Sequence, residues 1–106
     1  MIDLLPSHFK IIQVILKKHL SGIEVWAFGS RVNGTSRKTS DLDLVIVGQY
    51  KIESRLMGEI KYDFEESSLP FRVDVIDWYA TSESFRDIIC KHYEVIQKST
   101  KKPLFK

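Results

Sequence analysis

Three observations in this sequence predict a small β-sheet covered on one face by helices, an α+β domain. Phe9, Ile12, Leu16 and Leu20 recur at three- and four-residue steps, and so do Ile52, Leu56, Ile60 and Phe64, the period of a helix with one buried stripe. Three short runs, Glu24–Phe28, residues 41–47 and residues 71–76, combine apolar, β-branched and aromatic residues between turn-forming ones, the mark of strands. The resulting order, helix, strand, strand, helix, strand, helix, puts helices on one sheet face and leaves the other for chemistry.

Each element has local reasons. Pro6 and Ser7 suit the start of a first helix, Pro6–Leu20, which Gly22 ends. The run Glu24–Phe28 lies between Gly22 and Gly29. Residues 30–39 include Asn33, Gly34, Thr35 and Ser36, which favour turns, with one helical turn at the start. Residues 41–47 form the second strand, closed by Gly48, and residues 52–66 the second long helix, with Asp63, Glu65 and Glu66 on its solvated face. After the Ser67, Ser68, Pro70 loop, Phe71, Val73 and Val75 alternate with Arg72, Asp74 and Ile76 in a third strand. Ser82 caps a last helix running to about residue 97, with Phe85, Ile88, Ile89, His92 and Ile96 facing inward, and residues 98–106 form a loose basic tail.

Composition narrows the function classes. At 106 residues the chain makes one domain, 1–106, which buries roughly two thirds of its unfolded surface. Its 43% hydrophobic and 28% charged residues exclude a disordered chain. No apolar run approaches the roughly 20 residues of a membrane span, and the first residues carry no basic segment ahead of an apolar one, so a cytoplasmic protein is expected. A net charge of +2 is too small for a long nucleic-acid footprint, and no direct nucleic-acid binding is expected. Cys90 is the single cysteine; it allows no internal disulfide, and it is expected to be buried and inert.

The stretch from Gly29 to Val47 organises the chain. Asp41 and Asp43 share one strand face, while Leu42, Leu44 and Ile46 line the other. Paired carboxylates repel unless a cation sits between them. If the strand of Asp74 is their neighbour, three carboxylates converge on a patch able to hold two magnesium ions about 3.5–4 Å apart. Magnesium keeps positions for waters and substrate phosphates, so a nucleoside triphosphate is the natural occupant. Gly29 lets the backbone approach a phosphate, Ser30 adds a hydroxyl and an N–H, and Arg31, Arg37 and Lys38 offer further positive charge.

Gly29-Ser30, Ser40-Asp41-Leu42-Asp43-Leu44 and Val73-Asp74-Val75 together resemble the minimal nucleotidyltransferases (MNT), the smallest members of the DNA-polymerase-β-like superfamily, over nearly the whole chain. The resemblance implies a mixed sheet of the polymerase-β-like palm type. It also implies transfer of a nucleoside monophosphate, AMP in the first instance, from ATP or another triphosphate to a hydroxyl. Asp41 and Asp43 would bind two Mg2+ (Mn2+ being an alternative), Asp74 would bind the ion nearer the acceptor and help deprotonate it, and Gly29 and Ser30, with Arg31 beside them, would hold phosphates. The implied partner is an all-helical HEPN-type toxin modified on a tyrosine, which makes this chain an antitoxin in a hetero-oligomer. The competing expectation is a non-catalytic nucleotide-binding or partner-masking module.

Plainer roles stand beside these. Asp41 and Asp43 would also suit an edge strand that resists aggregation. Asp74 would suit an ion pair with Arg72 or Arg31, and Asp77, three residues on, a capping position. Trp26, Trp78 and Tyr79 read as packing residues, and His8, His19 and His92 as ordinary surface or core histidines.

Overall fold

The computed structural model describes residues 2–35 and 40–100. In chain order these form α1 (Pro6–Leu20), β1 (Glu24–Phe28), the short α2 (Ser30–Asn33), β2 (Leu42–Val47), α3 (Ser54–Glu65), β3 (Val73–Asp77), a 3-10 turn (Trp78–Ala80), α4 (Glu83–Lys91) and β4 (Tyr93–Gln97). The four strands make one mixed sheet in the order β3-β2-β1-β4. β1 runs antiparallel to β2 and β4, whereas β2 and β3 are parallel.

Helix α1 opens on Pro6, whose fixed φ suits the first turn, and turns Ile12, Ile15, Leu16 and Leu20 inward. Helix α3 contributes Ile60 and Phe64 to the same layer. These side chains close over Val25, Ala27, Leu42, Leu44, Ile46 and Val75, the main core. Asp63, anticipated as a solvated residue, ties the two helices together: His19 Nε2 lies 2.6 Å and Lys18 Nζ 3.1 Å from its Oδ2. The hydrogen bond with His19, then that with Lys18, holds the Asp63 carboxyl below its ordinary range.

The end of the chain departs from the sequence reading. The last helix stops at Lys91, and residues 93–97 form β4, which pairs with β1. Ile89 and Ile96, seven residues apart, imitate a helical stripe, yet Ile89 packs on one sheet face and Ile96 on the other. Tyr93, Val95 and Ile96 supply the aromatic and β-branched character that favours a strand. With the helix shortened, Ile88 is 59% exposed, and Cys90, expected buried, lies on the surface. The sheet face opposite α1 and α3 is therefore bare only in part, because Ile89 of α4 covers Phe28 and Val45. Lys98 to Thr100 are held alongside β1, with Thr100 N donating to Gly22 O at 3.2 Å, and residues 101–106 of the expected tail lie outside the described residues.

Asp77 ends β3 as a capping residue. Only 5% exposed, it accepts hydrogen bonds from Ile52 N (2.6 Å) and Tyr79 N (3.0 Å), which fixes the approach to α3 and the turn after β3. Asp77→Ala should cost about 1–3 kcal/mol for each orphaned N–H, and Asp77→Asn, which keeps an acceptor, less; urea denaturation of the two variants measures the difference.

Candidate active site

The three acids come together through strand register. The parallel pairing of β2 with β3 sets Asp43 directly opposite Asp74, and the antiparallel pairing of β1 with β2 sets Phe28 opposite Asp43. Asp41 stands one residue before β2, on the Asp43 side by alternation. Leu42, Leu44 and Val75 point the other way and are fully or almost fully buried, so the core decides which face receives the acids. The condition for convergence, that the two acidic strands be neighbours, is met.

Electrostatics agree with the register. Burial pushes the Asp43 carboxyl above its ordinary range, and the charges of Asp74 and then Asp41 push it further. Asp43 is half-buried, whereas Asp41 and Asp74 are exposed. Asp74 has no ion pair among the described residues, so the alternative pairing with Arg72 or Arg31 is not formed. Asp77 sits three residues beyond Asp74, on the opposite face, and takes no part in the cluster.

Gly29 borders the acids. Its backbone (φ 82°, ψ −158°) lies in a region that glycine alone occupies readily, and a Cβ added there would run into Oδ2 of Asp43. Helix α2 starts immediately afterwards at Ser30, with the Gly29 carbonyl accepting from Val32 N and Asn33 N, each at 3.0 Å. A turn of backbone and a half-buried carboxylate thus touch without a side chain between them.

Arg31, anticipated among the phosphate-binding groups, is 6% exposed and points into the protein. Its Nε donates to Ser40 O (2.9 Å) and its Nη1 to Asp3 O (2.8 Å), and the guanidinium lies 4.1 Å from the Phe71 ring centroid. Ser40 precedes Asp41, and Phe71 lies just ahead of β3, so Arg31 clamps the segments from which two of the acids emerge. The other two cations named for this role, Arg37 and Lys38, lie outside the described residues.

The acids occupy open surface. A cleft of about 780 Å³ between α3, the end of β3 and the start of α4 includes none of them, and one of about 400 Å³ reaches only Asp74. Among the described residues no three His, Cys, Asp or Glu side chains close into a metal cage. The donor set is carboxylate oxygen alone, which suits a hard cation that keeps most of its positions for water and substrate. Sequence reasoning did not single out Phe28, which separates Asp43 from β4 and meets Phe85 of α4 edge-on at 5.8 Å. A lone phenylalanine between apolar neighbours gives no signal that its register partner is an acid.

Known proteins resemble this chain in sequence and in fold. The family model "Polymerase beta, Nucleotidyltransferase" matches residues 10–102. The "Probable protein adenylyltransferase MntA" of Haemophilus influenzae (strain Rd) is 44% identical over 100 residues, covering 94% of this chain and 88% of that protein. Two solved structures share the fold. One is a toxin-antitoxin with AMP-PNP (TM-score 0.71, 18% identity, covering 87% of this chain and 74% of that chain). The other is a tri-AMPylated Shewanella oneidensis HEPN toxin in complex with MNT antitoxin (TM-score 0.65, 15% identity, covering 88% of this chain and 71% of that chain). The family match over most of the chain and the identity to the Haemophilus protein lead to one conclusion: this chain belongs to the polymerase-β nucleotidyltransferase family.

Proposed function

We propose that the chain transfers AMP from ATP to a tyrosine hydroxyl of an all-helical HEPN-type partner in the cytoplasm and thereby acts as that partner's antitoxin. The observation that carries this reading is the register that sets Asp43 against Asp74 beside the Gly29–Ser30 turn. The protein acceptor follows the name of the Haemophilus relative, and the HEPN partner follows the complexes that share the fold.

In this reading Asp41, Asp43 and Asp74 hold Mg2+, or Mn2+ in its place. Ions bound there would neutralise charge on the oxygens of the triphosphate. Asp74, at the exposed end of the acidic row, accepts the proton of the tyrosine hydroxyl. The phenolic oxygen then bonds to the α-phosphorus as the bond from that phosphorus to the bridging oxygen breaks, and pyrophosphate leaves. Gly29 and Ser30 place backbone N–H groups and a hydroxyl against the terminal phosphates. Arg31 acts at one remove, by fixing the segments that carry Asp41 and Asp74.

Incubation with ATP, Mg2+ and the partner, followed by mass measurement of both proteins, tests the proposal. Labelled partner is the expected result, and Asp43→Asn should lower the rate by about a hundredfold or more, as when a group that stabilises transition-state charge is removed. A partner that binds and stays unmodified would instead show masking without turnover.

The raised Asp43 pKa gives a stability test with the opposite sign. An acid whose pKa is higher in the folded state favours folding below its unfolded value, and that contribution is lost as pH rises through the folded value. At neutral pH and without divalent cations, Asp43→Asn should therefore melt above the wild type, with the gap closing as pH falls toward 4. Added Mg2+ with ATP should raise the wild-type Tm and leave that of the variant unchanged. Gly29→Ala should cost about 1–3 kcal/mol from backbone strain alone and displace Asp43, so calorimetry and the transfer rate should both register it.

A further inference from the structure

Away from the acids, α1 and the last strand frame a groove of about 470 Å³ whose charge has one sign. Lys10, Lys17 and Lys98 line it, no acidic residue does among the described residues, and Val14, Leu16 and Ile96 form its apolar floor. Gln13 and Val14 each lie three or four residues from both Lys10 and Lys17, so a single stripe of α1 faces it. Every residue of that stripe is exposed, Val14 at 58%. The next lysine along, Lys18, is taken up by Asp63 on the α3 side, whereas none of the three groove lysines has a carboxylate partner among the described residues.

The groove also runs along a sheet margin. β4 is terminal in the strand order and pairs with β1 alone, so no strand among the described residues adjoins its outer side. Such a margin offers backbone hydrogen-bonding groups at strand spacing. Val95 at 40% exposure and Tyr93 at 39% flank it on the opposite sheet face. The site is separate from the acids: Gln97 pairs with Val25, three residues back along β1 from Phe28, which adjoins Asp43.

We infer that this groove docks an acidic, extended segment of a protein partner, which lies along β4 with its carboxylates on Lys10, Lys17 and Lys98. Charge complementarity selects the acidic partner. Lys10 and Lys17 stand two helical turns apart, about 10 Å, a span an extended chain covers in about three residues. A protein fits better than a single-stranded nucleic acid, because among the described residues no aromatic side chain lines the groove to stack a base. The inference concerns binding and does not depend on the transfer reaction.

The test is titration of the isotope-labelled chain with a short peptide of alternating valine and glutamate at low salt, followed by amide NMR. Shifts confined to β4, residues 98–100 and the Lys10–Lys17 stripe are expected, with affinity falling about tenfold or more in Lys10→Glu/Lys17→Glu and on raising the salt. If that double variant folds poorly, Lys98→Glu, at an exposed position beyond β4, should show a smaller loss in the same assay. No binding of the peptide, binding that ignores the charge reversals, tighter occupation of the same amides by oligoadenylate, or self-association through them would each overturn the inference. Partner labelling with ATP is read separately, so either result leaves the other standing.

Discussion

The arrangement depends on one constraint, the pairing that forces like charges together across two parallel strands. Left to themselves, Asp43 and Asp74 would separate, since burial and then the Asp74 charge raise the cost of ionising Asp43. They are held in place because a shift by a single residue would carry Leu42 and Leu44 of β2, or Val75 of β3, out of the core and into water. Each such side chain contributes about 1.5–3 kcal/mol on burial, more than repulsion between partly solvated carboxylates withdraws. Apolar packing on one sheet face thus fixes the geometry of the charges on the other.

The arginine that was expected to face substrate shows the same economy of parts. A guanidinium with five donors can bridge several carbonyls at once, and Arg31 uses that capacity on Ser40 and Asp3 while resting on Phe71. These contacts converge where the chain enters β2 and approaches β3, the places where a loose segment would let Asp41 or Asp74 drift. Asp77 performs the matching task at the far end of β3, satisfying the N–H groups of Ile52 and Tyr79. The strand carrying the third acid is therefore anchored at both ends by buried charged side chains, and its middle is left to face outward.

Much of this was legible in the sequence, for identifiable reasons. The bounds of α1 and β1 follow directly from apolar periodicity and flanking glycines, and the alternation of residues 41–47 sorts the acids from the core. Asp77 reads correctly as a cap because it stands three residues beyond Asp74, where the strand runs out. The carboxyl-terminal part is misread because Ile89 and Ile96 are both buried and seven residues apart, and periodicity does not distinguish one helix from a helix followed by a strand on the other side of a sheet. The role of Arg31 is hidden for a different reason: it donates to the backbone carbonyls of Asp3 and Ser40, and a contact with a carbonyl leaves no trace in residue type.

The shape of the site bears on what it can do alone. Enzymes that bind both substrates usually enclose them in a cleft with apolar walls, and here the clefts of the molecule lie beside or behind the acids. Asp41 and Asp74 are exposed, and Asp43 is flanked across the strand pair by Phe28, which packs with Phe85 and Ile89 of α4. A surface of this kind can orient a triphosphate through charge and backbone contacts, but it gives an acceptor hydroxyl little to lean on. Holding the reacting atoms together is worth about 7–11 kcal/mol of barrier, and an open row of carboxylates supplies only part of it. The remainder has to come from whatever brings the hydroxyl, and the proposed protein acceptor, whose own contacts can fix its position, would supply it where a small molecule would not.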